Sequence, residues 1–253
     1  MSISRRPPAL LSGLVLIAAC SSAPDPYIGL PVEDLFATAE AEYAAGEFDN
    51  AIRALDRLVL TYGDWDQLPR ARLLLADAHF GAREFLTARA EYVRFLDRHS
   101  GHPDAAKAAL GVCRSLSSLS PEVPRDQSYT QDAILTCRNS VLDYPGTPEA
   151  AEAAQLANNM RLRLAEKEYA TADFYFRRGL WDSAILYYES TLRLFSDTDF
   201  APLALAGIYR SNIEIGYEEE AEEALARLLR DYPESESAKE LRGNGGRIRS
   251  DVP

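Results

Sequence analysis

Five alanines, Ala51, Ala88, Ala133, Ala184 and Ala221, each open the same pattern of residues. Four positions after them stand Leu55, Tyr92, Cys137, Tyr188 and Leu225. Eight positions after stand Val59, Leu96, Val141, Leu192 and Leu229. Eleven positions after comes a ring, in Tyr62, His99, Tyr144, Phe195 and Tyr232. Offsets of 0, 4, 8 and 11 trace one face of an α-helix, and a small first residue lets a neighbouring helix approach closely. A chain that repeats this face five times has to bury each helix against the next one. Three of the helices are preceded at a fixed offset by Gly46, Gly179 or Gly216. Phe48, Phe85 and Trp181 stand three residues before their alanines.

This order of helix, turn at glycine, aromatic, alanine and, after two of the helices, closing proline (Pro145 and Pro233) resembles the tetratricopeptide repeat over nearly all of residues 32–235. The implied fold is all-α, a right-handed solenoid of five tetratricopeptide-like helix pairs whose first helices form a concave wall. Anchor spacings of 37, 45, 51 and 37 exceed the consensus of 34. Two of the excesses have visible causes. Ser120–Gln127 is a proline-bearing loop in the third repeat, where Ser128 and Thr130 replace the glycine and the aromatic. Residues 147–178 contain neither Pro nor Gly after Pro148, which predicts one long helix. A coiled coil is the main structural alternative, and the regular glycine turns and small alanines argue against it. By repeat register, Phe36, Glu40 and Tyr43 of repeat one face inward, with Arg70, Leu73, Asp77 and Phe80 of repeat two. Rings mixed with charges suit an extended peptide, although such rings also serve to pack helices together.

Ahead of the array, Arg5 and Arg6 precede an apolar run from Ala9 to Ala19 that ends at Cys20. The run has the parts of a secretory signal and is too short to span a bilayer. Pro7-Pro8 after the arginines speaks against twin-arginine export. A cysteine directly after two alanines resembles the lipobox of bacterial lipoproteins. That resemblance implies removal of residues 1–19 and acylation of Cys20, and Ser21 in place of aspartate implies the periplasmic face of the outer membrane. Residues 20–31 then read as a lipidated tether. Residues 32–102 hold repeats one and two, 103–235 hold repeats three to five, and 236–253 form a flexible tail.

The chain carries 27 basic against 39 acidic residues, and without the two signal arginines the excess of acid is about 14. Nucleic acid needs a basic surface and is excluded as a partner. Cys113 and Cys137 fall on the two helices of repeat three in an expected oxidising compartment. Their spacing does not show that they face one gap, so a disulfide stays open, with free, partly buried thiols the leading expectation. No catalytic set emerges: His99 and His102 with Asp97 and Asp104 lack a defined third ligand, and Glu218–Glu223 reads as a solvated helix face. Gly243–Gly246 follows no strand and opens no helix, so it does not form a phosphate cradle. A non-enzymatic binding protein is expected, with no cofactor beyond the covalent lipid on Cys20.

Longer strings narrow the reading. Pro124-Arg125-Asp126-Gln127, the run Arg161–Glu168 (RLRLAEKE), Tyr175-Phe176-Arg177-Arg178-Gly179, and Phe36-Ala37-Thr38-Ala39 followed by Gly46-Glu47-Phe48 resemble segments of the family of outer membrane protein assembly factor BamD. The resemblance implies a periplasmic lipoprotein of the machine that inserts β-barrels. Its N-terminal repeats would meet unfolded outer membrane proteins, and its C-terminal repeats would meet the BamA barrel subunit and other assembly lipoproteins. Arg125, Asp126, Asp173, Arg177 and Tyr187 are the partner-binding positions on this reading. Leu186-Tyr187 stand where the family often has Asn-Arg, which puts an arginine contact there in doubt. The alternative is an adaptor lipoprotein that organises peptidoglycan or envelope-constriction enzymes.

Overall fold

The computed structural model describes residues 25–123 and 125–243. Cys20 and its signal, Pro124 and the glycine-rich end from 244 lie outside the described residues. Helix follows helix: α1 (Val32–Ala44), α2 (Phe48–Thr61), α3 (Leu68–Gly81), α4 (Phe85–His99), α5 (Ala105–Leu119), α6 (Ser128–Asp143), α7 (Pro148–Phe176), α8 (Trp181–Phe195), α9 (Phe200–Ile215), α10 (Glu218–Asp231) and α11 (Glu236–Gly243). There is no strand among the described residues. Each helix packs on its neighbours in the chain. Contacts also link α1 to α3, α3 to α5, α5 to α7, α7 to α9 and α9 to α11. The odd-numbered helices therefore form one continuous row, and the fold is a helical-repeat solenoid of five pairs closed by α11.

The alanine pattern is the packing code of this array. All five anchors are fully buried, as are Leu55 and Cys137, and Tyr92 and Tyr188 are nearly so. The large rings at offset four need space on the facing helix, and glycine supplies it. Gly111 on α5 sits against the ring of Tyr92, and Gly207 on α9 sits against that of Tyr188; in each case the ring stands 19 residues before its glycine. A methyl group at Gly207 would lie 2.4 Å from the tyrosine ring. That ring is among the largest fully enclosed side chains and cannot swing away. In an open helix Gly→Ala stabilises by about 1 kcal/mol, but overpacking costs about 1–3 kcal/mol or more. Gly207→Ala is therefore expected to be net destabilising by about 2 kcal/mol, lowering the melting midpoint by several degrees in a thermal scan. An unchanged or raised midpoint would show that the α8–α9 joint has slack.

Turns between paired helices use the left-handed region. Gly179 has φ +70°, and Gly46 and Gly216 occupy the corresponding places. In repeat two that place belongs to Arg83, at φ +64°, so the geometry is kept even without glycine. Repeat three has no such turn: Ser128 already begins α6, and the longer loop from Ser120 to Gln127 makes the connection. Thr147 caps α7 by accepting a bond from the Ala150 amide at 3.1 Å, and Pro148 enters the first turn. The helix then runs for 29 residues, about 43 Å.

Three sequence expectations need correction. Cys113 and Cys137 are joined in a disulfide, with Cα atoms 5.0 Å apart, because α5 and α6 cross with both cysteines turned into one gap beside Leu110, Ala153 and Ala157. The expected tether is folded from residue 25 onward: Tyr27 is buried in the core of repeat one. Residues 236–243, expected to begin a flexible tail, form α11, with Ala238 and Leu241 buried against the end of the array.

Candidate partner-binding site

The expected groove residues lie on α1 and α3, and most of them are engaged with the protein itself. Phe36 is buried, edge-on to Trp65 at a centroid separation of 5.1 Å. Leu73 is buried as well. Tyr43 packs edge-on to Phe48 at 5.6 Å, and Phe80 leans on Phe85 at 5.3 Å, both half-buried. Arg70 holds its guanidinium 5.3 Å from the centre of the Phe36 ring and donates to Glu40. Asp77 accepts from the Tyr92 hydroxyl and from Lys107 Nζ, each at 2.6 Å. Burial first, and then the Asp77 carboxylate, raises the Tyr92 phenol far above its ordinary range.

What faces solvent along the odd-numbered helices is a row of ion pairs that join one helix to the next of the row. Arg70–Glu40 joins α3 to α1, Lys107–Asp77 joins α5 to α3, Arg114–Glu152 joins α5 to α7, and Arg210–Glu240 joins α9 to α11. Three of these pairs are 30 residues apart in sequence and Arg114–Glu152 is 38. Arg114 grips Glu152 through two nitrogens, at 2.7 and 2.6 Å, and these bonds hold the carboxyl below its usual range. Exposed pairs of this kind contribute about 0–1 kcal/mol each. Their main effect is to fix neighbouring repeats in register and to present alternating charge. Lys107, Arg114 and Glu152 were not among the sequence candidates; opposite charges recurring about one repeat apart were the readable signal.

The second candidate region lies in the middle of the array. Asp126 Oδ1 accepts from the amide of Ser128 at 3.1 Å and from its hydroxyl at 2.6 Å. These bonds tie the carboxylate to the start of α6 and lower its pKa. Gln127 is buried: its side-chain amide donates to the carbonyls of Glu122 and Arg125 and accepts from Thr130. From α7, Arg163 donates to the carbonyl and hydroxyl oxygens of Ser120, each at 3.1 Å, and Lys167 Nζ donates to the carbonyl of Arg125 at 3.0 Å. The loop string and the long-helix string, some 40 residues apart, thus bind one another. The Arg125 side chain is left exposed above that joint.

Asp173 and Arg177 form an i, i+4 ion pair at 2.8 Å near the end of α7. Tyr187 of α8 stacks on Tyr175, with centroids 5.3 Å apart and planes 11° from parallel. Beside them Phe174 and Leu180 are about half exposed, and the Arg178 guanidinium lies 3.7 Å from the centre of the Phe174 ring. Lys167 and Asp173 are six residues apart, about 240° around the helix. Arg125 with Asp126, and Asp173 with Arg177, consequently occupy different faces of α7 and do not form one patch. Among the described residues no group of three or more His, Cys, Asp or Glu could hold a metal ion, and no helix is long and apolar enough to cross a membrane.

Residues 30–228, from the entry of α1 to the last turn of α10, match the YfiO outer membrane lipoprotein family. The chain belongs to that family. Among its YfiO-like relatives, outer membrane protein assembly factor BamD of Caulobacter vibrioides is 27% identical over 237 residues, covering 89% of this chain and 77% of the relative. BamD of Vibrio cholerae is 26% identical over 210 residues, covering 77% and 86%. Among solved structures, the TPR2AB domain of yeast Sti1 in a pHSP90 complex aligns with a TM-score of 0.46 at 12% identity, over 80% of this chain and 78% of the other.

Proposed function

We propose that this chain is a non-enzymatic, lipid-anchored scaffold for assembling β-barrel proteins into the outer membrane. On this reading the row α1 and α3 receives unfolded barrel proteins, and the region around α7 and α8 receives a BamA-like barrel subunit together with other assembly lipoproteins. The observation that carries it is the family match across the whole repeat array, joined to relatives that bear the assembly-factor name. The joint between Ser120–Gln127 and α7 supports it further. Gln127, Arg163 and Lys167 spend their polar groups holding the loop, which leaves Arg125 outside with an immobilised backbone for a partner to meet.

The direct test is capture. Extracted in mild detergent, the full chain should bring down a barrel protein with periplasmic domains. Reversing Arg177 and Asp173 to Glu and Lys should weaken that capture severalfold and reduce its salt dependence, because exposed interfacial charges govern docking rate. Arg125→Glu tests the other face in the same assay. Recovery of murein synthases or hydrolases in place of the barrel protein would replace this reading with the peptidoglycan-adaptor one.

A further inference from the structure

The N-terminal segment ahead of α1 is a strap, not a free linker. Tyr27 is 3% exposed, and its hydroxyl donates to Glu42 of α1 at 2.8 Å. Its ring lies 5.7 Å from the Arg53 guanidinium of α2. On either side, Asp25 pairs with Arg57 at 3.0 Å, and the Leu30 carbonyl accepts from the Tyr62 hydroxyl at 2.9 Å. The strap is therefore fastened at three points, to Glu42 of α1, to Arg57 of α2 and to Tyr62 just past the end of α2. Burial pushes the Tyr27 phenol up to about 12, in keeping with an enclosed ring.

This placement sets a distance. Only residues 21–24 separate Cys20 from Asp25, and five Cα steps reach at most about 18 Å in any conformation. A tether of twelve free residues would have allowed more than twice that. If Cys20 is acylated, as the proposed function assumes, Asp25 and the start of the strap stay within that reach of the bilayer surface. The strap-bearing side of repeat one is then the side nearest the anchor. That side carries two bare apolar groups: Ile28, on the strap, is 62% exposed, and Leu60, on α2, is 85% exposed. Arg53, Arg57 and Leu60 follow one another at i, i+4 and i+7 and so share one helix face.

We infer that the strap-bearing face of α2, with Leu60 and the strap's Ile28 at its surface, rests on the lipid headgroup layer and orients the solenoid with repeat one against the membrane. The occupant is a bilayer surface. The length of chain between acyl anchor and strap brings it there, and apolar side chains of this kind partition into the headgroup boundary. Charge is not the attraction. Arg57 is already paired with Asp25, and Asp49 stands one turn before Arg53 on the same helix face, so the contact should form equally on zwitterionic and anionic lipid.

The experiment uses the full, acylated chain in vesicles of phosphatidylcholine, with or without phosphatidylglycerol, and acylation of Cys20 is verified by mass spectrometry of the N-terminal peptide. An environment-sensitive fluorophore is placed at Leu60→Cys, and at Leu142→Cys as a control, since Leu142 is 76% exposed on α6, far from the strap. The expected result is a blue shift at position 60 and loss of most of its emission with headgroup spin-labelled lipid, in both lipid compositions, with little change at position 142. Verified acylation with no quenching at position 60 overturns the inference. So does a blue shift that disappears on diluting the protein among vesicles, which would mean a second copy covers the face. An unacylated Cys20 overturns it through the anchor, and the mass spectrum separates that failure from the other two.

Discussion

Removing the Cys113–Cys137 cross-link is expected to destabilise helix pair three by about 3 kcal/mol. Closing a loop of 24 residues removes conformational freedom from the unfolded chain by roughly that amount. In a chain of this size the loss corresponds to about 10 °C of melting midpoint. The double alanine variant is the suitable test, because serine would bury two hydroxyls in a fully enclosed apolar gap. Position 137 holds a small residue where repeats two and four hold a ring. α5, α6 and α7 approach closely there across Ala153 and Ala157, and the covalent bond takes the place of the missing ring packing. Protection against hydrogen exchange should fall first in α5, α6 and the first half of α7, since damage in a stacked array reaches neighbours before ends. Both sulfurs are inaccessible, so reductant alone should act slowly on the folded chain. Quantitative labelling of two thiols after denaturation without reductant would show that the bond is absent.

The array was legible because its helices bury the same offsets each time. Ala51, Ala88, Ala133, Ala184 and Ala221 are all fully enclosed, and the long helix was marked by an unbroken run without Pro or Gly. The disulfide was not legible, because whether two side chains on different helices share a gap depends on the crossing of those helices. Sequence spacing carries no record of that crossing. The strap was missed for a different reason: three prolines and few apolar residues describe a linker, and one tyrosine, Tyr27, reverses that description by inserting between α1 and α2. Helix α11 did leave a signal. Ser235 accepts a bond from the Ala238 amide at 3.2 Å as a helix cap, and Ala238 and Leu241 are spaced i, i+3 on the buried side. The strings at 124–127 and 161–168 carried the family resemblance as separate pieces. Only the fold shows that Arg163 and Lys167 bind the loop, so that much of this pair of strings serves architecture, with Arg125 left to face outward.

Phe36→Ala should cost about 3–5 kcal/mol, the usual range for emptying a buried phenylalanine site. The ring is 5% exposed, meets Trp65 edge-on and lies beneath the Arg70 guanidinium, so its removal leaves a gap that α1 cannot easily close. Repeat one ends the array and has a neighbour on one side only, hence the loss should appear as early opening of α1, α2 and the strap. Hydrogen exchange of residues 25–62 resolves this from global unfolding. This changes how the groove is tested. Loss of peptide binding in Phe36→Ala reports a collapsed repeat and says nothing of a pocket. Glu40→Gln with Arg70→Gln is the informative variant, because an exposed ion pair contributes at most about 1 kcal/mol and the repeat should stay folded without it. A peptide from the aromatic C-terminal strand of a barrel protein should then bind less well to a protein whose melting curve is almost unchanged. If Phe36→Ala melts like the parent chain, its ring is not the core element that its burial indicates, and Phe36 returns to the list of groups available to a bound peptide.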